Sequence, residues 1–150
     1  MKVLITTDGS RWSQMAIRRA AALLDLASAE VHVLSVANLL PLLGAFETPL
    51  GGAGAALDQE TLAAHQDAER ALAVLQELGV TASVHQRDGD PAHEIVALAR
   101  HLQADLIVLG AHAKHGLERL LLGSTSDAVL HRWAGATLVI RPTAADAAAL

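Results

Sequence analysis

Cysteine is missing from the chain, and with it go disulfides, thiolate nucleophiles and thiolate metal sites. Aromatic residues are scarce as well: there is no tyrosine, one phenylalanine and two tryptophans. With 52% of residues hydrophobic and 2% aromatic, the core has to be built from Leu, Val, Ile and Ala. Lysine occurs only at Lys2 and Lys114, and the formal net charge is −5. A surface of that sign does not attract a phosphate backbone, so nucleic-acid binding is not expected and any phosphate site has to be local. Mean hydropathy is +0.34, yet no apolar run is long enough to cross a bilayer. The best stretch, residues 31–46, is broken by His32, Ser35, Asn38, Pro41 and Gly44, short of the ~18–20 continuous apolar residues required. The start MKVLITTDGS turns polar too soon for a signal peptide. A soluble, cytoplasmic protein with no membrane partner is expected.

What is present is an alternation of two periods. KVLITT (2–7) is a β-branched run ended by Asp8-Gly9-Ser10, a strand followed by a turn. A helical pattern with Trp12, Met15, Ala16, Leu23 and Leu26 follows, and Ser10 stands where its N-cap belongs. EVHVLSV (30–36) is apolar on both faces, as a parallel strand covered on both sides must be. Residues 41–56 lose all periodicity and hold Pro41, Pro49, Gly44, Gly51, Gly52 and Gly54, which predicts a flexible loop. A helix is expected over about 58–78, with Leu57, Thr61, Ala64, Ala68, Leu72, Leu75 and Leu78 on one stripe and Gly79 ending it. Residues 80–86 predict an edge strand, and Asp90-Pro91 the cap and first residue of a helix to about Leu102. LIVL (106–109) predicts a central strand. A helix from Gly123-Ser124 to Trp133 and a last strand from Thr137 to Arg141 complete the pattern. The order βαβαβαβαβ specifies an α/β fold, one domain over 1–150 with an open, mostly parallel sheet and helices on both faces. Within that span, residues from about 143 to 150 are expected to form a tail.

In such a sheet ligands bind beyond the carboxyl ends of the strands, where the strand order reverses. Two segments there carry chemistry: Thr6-Thr7-Asp8-Gly9, and 110–126, GAHAKHGLERLLLGSTS. Gly110 presents no β-carbon to a flat ring or ribose. Gly123-Ser124-Thr125-Ser126 opens a helix whose free N–H groups and dipole, with three hydroxyls, suit an anion; plain capping explains the same residues. Asp8 is placed to accept hydrogen bonds from a ribose or to hold Mg²⁺ near phosphates, and an aspartate after a first strand also simply forms turns. No G-x-x-x-x-G-K-[ST] and no G-x-G-x-x-G occurs, which excludes the common phosphate loops.

The stretch IVLGAHAKHGLERLLLGSTSDAVLHRWAGATLVIRP and the start KVLITTDGSRWSQMAIRRA resemble the universal stress protein family, and length and element order agree along the whole chain. Nucleotide-binding members carry Gly-x2-Gly-x9-Gly-[Ser/Thr]; here Gly110-x2-Ala113-x9-Gly123-Ser124 repeats that spacing with one substitution. The resemblance implies a Rossmann-like sheet in the order 3-2-1-4-5, an adenine nucleotide such as ATP, with or without Mg²⁺, and a homodimer formed through Thr137–Arg141. It places Thr7 and Asp8 at the adenosine and Val36 on the adenine. Leu109 and Gly110 would lie beneath base and ribose, and Ala113, Gly123, Ser124, Thr125 and Ser126 around the phosphates. His112 and Lys114 occupy positions that often carry these residue types in the family; phosphate neutralisation and ordinary solvated polarity both account for them. If the backbone at Ala113 needs a positive φ, alanine costs about 1 kcal/mol there.

Eight histidines raise a metal hypothesis, but no spacing of ligands supports it. His32 reads as a satisfied core residue, and His65, His85, His93, His101 and His131 as surface positions. Catalysis has no motif: G-x-S-x-G is absent, and the S-G-G-x-D-S loop of adenylating enzymes is replaced by Thr7-Asp8-Gly9-Ser10. The expectation is a ligand-responsive stress module and not a dedicated enzyme. Slow ATP hydrolysis and a dimeric interaction module without nucleotide are the alternatives.

Overall fold

A computed structural model describes residues 1–43, 53–111 and 122–143. Five parallel strands form one sheet in the order β3-β2-β1-β4-β5. They are β1 (Lys2–Thr7), β2 (Glu30–Asn38), β3 (Ala82–Gly89), β4 (Leu106–Gly110) and β5 (Ala136–Ile140). The helices are α1 (Arg11–Leu23), α2 (Leu40–Leu43), α3 (Ala53–Glu77), α4 (Pro91–Leu102) and α5 (Ser124–Arg132). The strand order implied by the family resemblance is the one observed.

Alternation along β1 divides the core. Val3 and Ile5 face α1 and α3 and pack with Ile17, Val33, Leu75 and Val108. Leu4 faces the other way, against Leu34, Ile95, Leu98, Ile107 and Val129 under α4 and α5. Val3, Leu4 and Ile5 are all at most 1% exposed, so β1 is buried on both faces, and strands of this kind read as unbroken apolar runs. The core contains no aromatic side chain among its fully buried members.

The local signals act where the residues put them. Ser13 N–H donates to Ser10 Oγ at 3.2 Å, capping α1. His93 N–H donates to Asp90 Oδ2 at 3.2 Å with Pro91 in the first helical turn, capping α4. Two boundaries differ from the periodicity. The long helix begins at Ala53, several residues before Asp58, because the alanine-rich run that follows propagates a helix through Gly54. The third strand begins at Ala82 instead of Val80. Val80 N–H donates to Leu75 O at 2.9 Å and Gly79 N–H to Gln76 O at 3.0 Å, a Schellman closure that keeps Val80 in the helix terminus. Leu78, expected on the buried stripe, is 39% exposed, beyond the last turn that faces the sheet.

Candidate functional site

The strand order reverses at β1: crossovers to β2 and β3 carry α1 and α3 on one face, and those to β4 and β5 carry α4 and α5 on the other. Beyond the carboxyl ends of β1, β2 and β4 lies a cleft of about 630 Å³, within the ~300–1,000 Å³ range of small-molecule sites.

Thr7 and Asp8 organise the loop that leaves β1. Gly9 N–H donates to Thr7 Oγ1 at 3.1 Å, and the Thr7 and Ser13 hydroxyls share a bond of 3.0 Å. Asp8 Oδ1 accepts from Ser10 N–H at 3.1 Å and from Ser10 Oγ at 2.6 Å. Each polar side chain here holds the next, so the turn is preformed, and Gly9 takes φ +71°, a left-handed value that glycine tolerates.

The opposite end of the cleft is the start of α5. Gly123 is its N-cap and contributes no side-chain hydrogen bond, so the first turn of α5, which carries the acidic Asp127, opens on the cleft without a side-chain cap. Ser126, buried, donates from Oγ to Gly110 O at 3.0 Å and so ties that turn to the end of β4. A β-carbon on Gly110 would meet Ala16 Cβ at 3.7 Å and Ser13 Cα at 3.8 Å. It would therefore point to α1 at ordinary contact distance; its absence does not itself clear the path of a ligand, which differs from the reason expected for this glycine.

Thr7, Asp8, Val36, Leu109, Gly110, Gly123, Ser124, Thr125 and Ser126 all line this one cleft. His112 and Ala113, with Lys114, fall outside the described residues. One wall of the cleft, contributed by α2 and α3, has no counterpart in the sequence motifs and includes Pro41, Leu42, Gln59, Glu60, Ala64 and Asp67. Asp67 is the informative member, a carboxylate only 5% exposed and bonded by Arg70 Nη2 one turn later. Its signal was present: it falls three residues after Ala64 and four before Ala71, a charge on the apolar stripe. Asp8, Glu60 and Asp67 are the charged residues among the described lining, which leaves dipoles and hydroxyls to meet an anion there. Among the described residues no group of three histidines or carboxylates could hold a metal.

His85 also departs from its expected surface position. It is half-buried on the edge strand because its ring packs on His32, which is buried as expected.

Comparison with known proteins agrees with this geometry. The model of the universal stress protein family matches residues 1–141. Universal stress protein MJ0531 of Methanocaldococcus jannaschii is 33% identical over 141 residues, covering 93% of this chain and 81% of its own. The solved structure of protein MJ0577 superposes with a TM-score of 0.80 at 25% identity, covering 95% of this chain and 96% of the other. An Arabidopsis thaliana member with AMP bound shares the fold at TM-score 0.70 and 14% identity, covering 97% and 94%. Other solved members hold dAMP, in the Archaeoglobus fulgidus protein, and cAMP. No described helix is long and apolar enough to cross a membrane. The sheet order, the cleft at its switch point and the match over nearly the whole length lead to one assignment: the chain belongs to the universal stress protein family.

Proposed function

We propose that the chain is an adenine-nucleotide-binding homodimer of the cytoplasm that responds to its ligand and has no dedicated catalytic activity. The observation that carries this reading is the cleft itself, with Asp8 in its lining and the start of α5 at Gly123, which has no side-chain cap bond, lining the same space. Solved members of the same fold with AMP, dAMP and cAMP support adenine nucleotides as the ligand class.

In this reading Thr7 and Asp8 attend the adenosine, Val36 touches the adenine, and Leu109 and Gly110 underlie base and ribose. Gly123, Ser124, Thr125 and Ser126 wrap the phosphates through N–H groups and hydroxyls, joined by His112 and Ala113. ATP is the ligand inferred, with Mg²⁺ offsetting the phosphate charge beside Asp8. Among the described residues β5 is an edge strand of the sheet, and we infer that two copies meet there, across Thr137 to Arg141. Binding then shifts the conformational population of the dimer.

Calorimetric titration of the purified chain with MgATP, and in parallel with AMP and cAMP, tests the reading. Micromolar binding of any of the three supports it, and their ranking names the ligand. Absence of binding at millimolar nucleotide overturns it in favour of a dimeric interaction module without nucleotide.

A further inference from the structure

Away from the cleft, β2 and β3 are joined by a side-chain relay. His32 Nδ1 and His85 Nε2 lie 3.0 Å apart, and His32 Nε2 lies 3.1 Å from Glu30 Oε1. The two rings are tilted, with centroids 5.1 Å apart. His32 is 7% exposed. It lies two residues before Leu34 on the side of the sheet covered by α4 and α5, and His85 is in register with Leu34.

Proton bookkeeping across this relay is restrictive. Glu30 can only accept, so His32 carries a proton on Nε2. One further proton fits between the facing nitrogens, Nδ1 of His32 and Nε2 of His85, because one ring donates and the other accepts. If both rings become imidazolium, both facing atoms carry hydrogen, and two like charges meet across 3.0 Å.

The surroundings oppose the second proton. From β1, Lys2 reaches Glu30 with Nζ–Oε1 of 3.6 Å and competes for the one nearby carboxylate of the relay. From β3, Arg87 adds positive charge, partly answered by Glu94 of α4 at 3.1 Å, and from α4 itself His101 faces the pair. Burial first, and then the charges of His32, Arg87 and His101, hold the His85 imidazole below its ordinary range.

We propose that the His32–His85 pair is an acid-sensitive latch, holding edge strand β3 to β2 while the pair carries at most one shared proton and releasing it when both rings are charged. β3 runs directly into α4, whose Pro91 and Ile95 line the cleft, so release loosens one wall of that site. The latch does not depend on what the cleft binds.

The sign follows from proton linkage. Below the ordinary imidazole range the unfolded chain protonates both rings, whereas the folded chain resists the second proton. Stability is therefore full at neutral pH and falls as pH drops, by about tenfold in the folding equilibrium constant per pH unit for one proton.

Urea unfolding of the full chain and of His85→Gln at pH 7.5, 6.5 and 5.5 tests this. Gln retains a donor for His32 Nδ1 but cannot take a charge. The expected result is that the folding constant of the natural chain drops about fivefold more than that of H85Q between pH 6.5 and 5.5. Equal drops, within about twofold, overturn the latch. Hydrogen exchange at pH 5.5, corrected for intrinsic rates, separates a latch from general acid weakening. Faster exchange confined to β3 and the start of α4 supports it, and uniform acceleration through β1 and β4 overturns it. Should H85Q not fold, imidazole NMR of the natural chain decides. Titrations of the two rings separated by more than about one pH unit support the latch, and coincident titrations overturn it.

Discussion

The carboxylate of Asp67 occupies the place where a β-carbon on Gly9 would stand: Oδ1 lies 1.9 Å from that position. Helix α3 thereby presses on the turn that carries Asp8, and Gly9, already at φ +71°, is the residue that permits it. Gly9→Ala should lose roughly 2–4 kcal/mol of stability from the left-handed φ together with displacement of Asp67. Nucleotide affinity should fall by about tenfold or more. Chemical denaturation and calorimetry measure the two effects, and an alanine variant of unchanged stability would remove the steric argument.

Position 113 is where the nucleotide-binding pattern has glycine and this chain has alanine. Ala113→Gly should tighten MgATP binding by about fivefold if the only obstacle is about 1 kcal/mol of backbone strain. A larger gain would mean that the methyl group itself stood in the phosphate path. Identical dissociation constants for the two proteins would show that the substitution is neutral.

Leu75 joins two roles, a fully buried side chain under β1 and the carbonyl that accepts Val80 N–H at the end of α3. Leu75→Ala should cost roughly 2–5 kcal/mol in urea unfolding, since a core of aliphatic side chains closes a cavity only partly. Leu23, 69% exposed on α1, is the control: its alanine variant should stay within about 0.5 kcal/mol of the natural chain.

Among the described residues β5 is the last strand of the sheet, with half-buried Leu138 and Val139 along it. Thr137→Lys, at a half-buried position of β5 that belongs to neither core cluster, puts a charge on that edge strand, a device by which strands refuse partners. If the dimer forms there, light scattering should report a dimer for the natural chain and a monomer for T137K. A dimer in both would move the interface elsewhere.

Much of the fold was legible in the residues because its determinants are local. The both-sided burial of β1 and β4 shows as short aliphatic runs, and that of β2 as an apolar run interrupted by His32 and Ser35; Ser10 and Asp90 cap helices through bonds that span three residues. The spacing from Gly110 to Ser124 carried the family resemblance without any coordinates. What stayed hidden depends on pairs distant in the chain. The burial of Asp67 on Gly9 and the meeting of His32 with His85 across 53 positions each follow from which strands and helices become neighbours. Residue type alone assigned His85 to the surface. Tertiary packing placed it against another imidazole, because strand register, unlike helix period or capping, is a relation between two segments and is written in neither one alone.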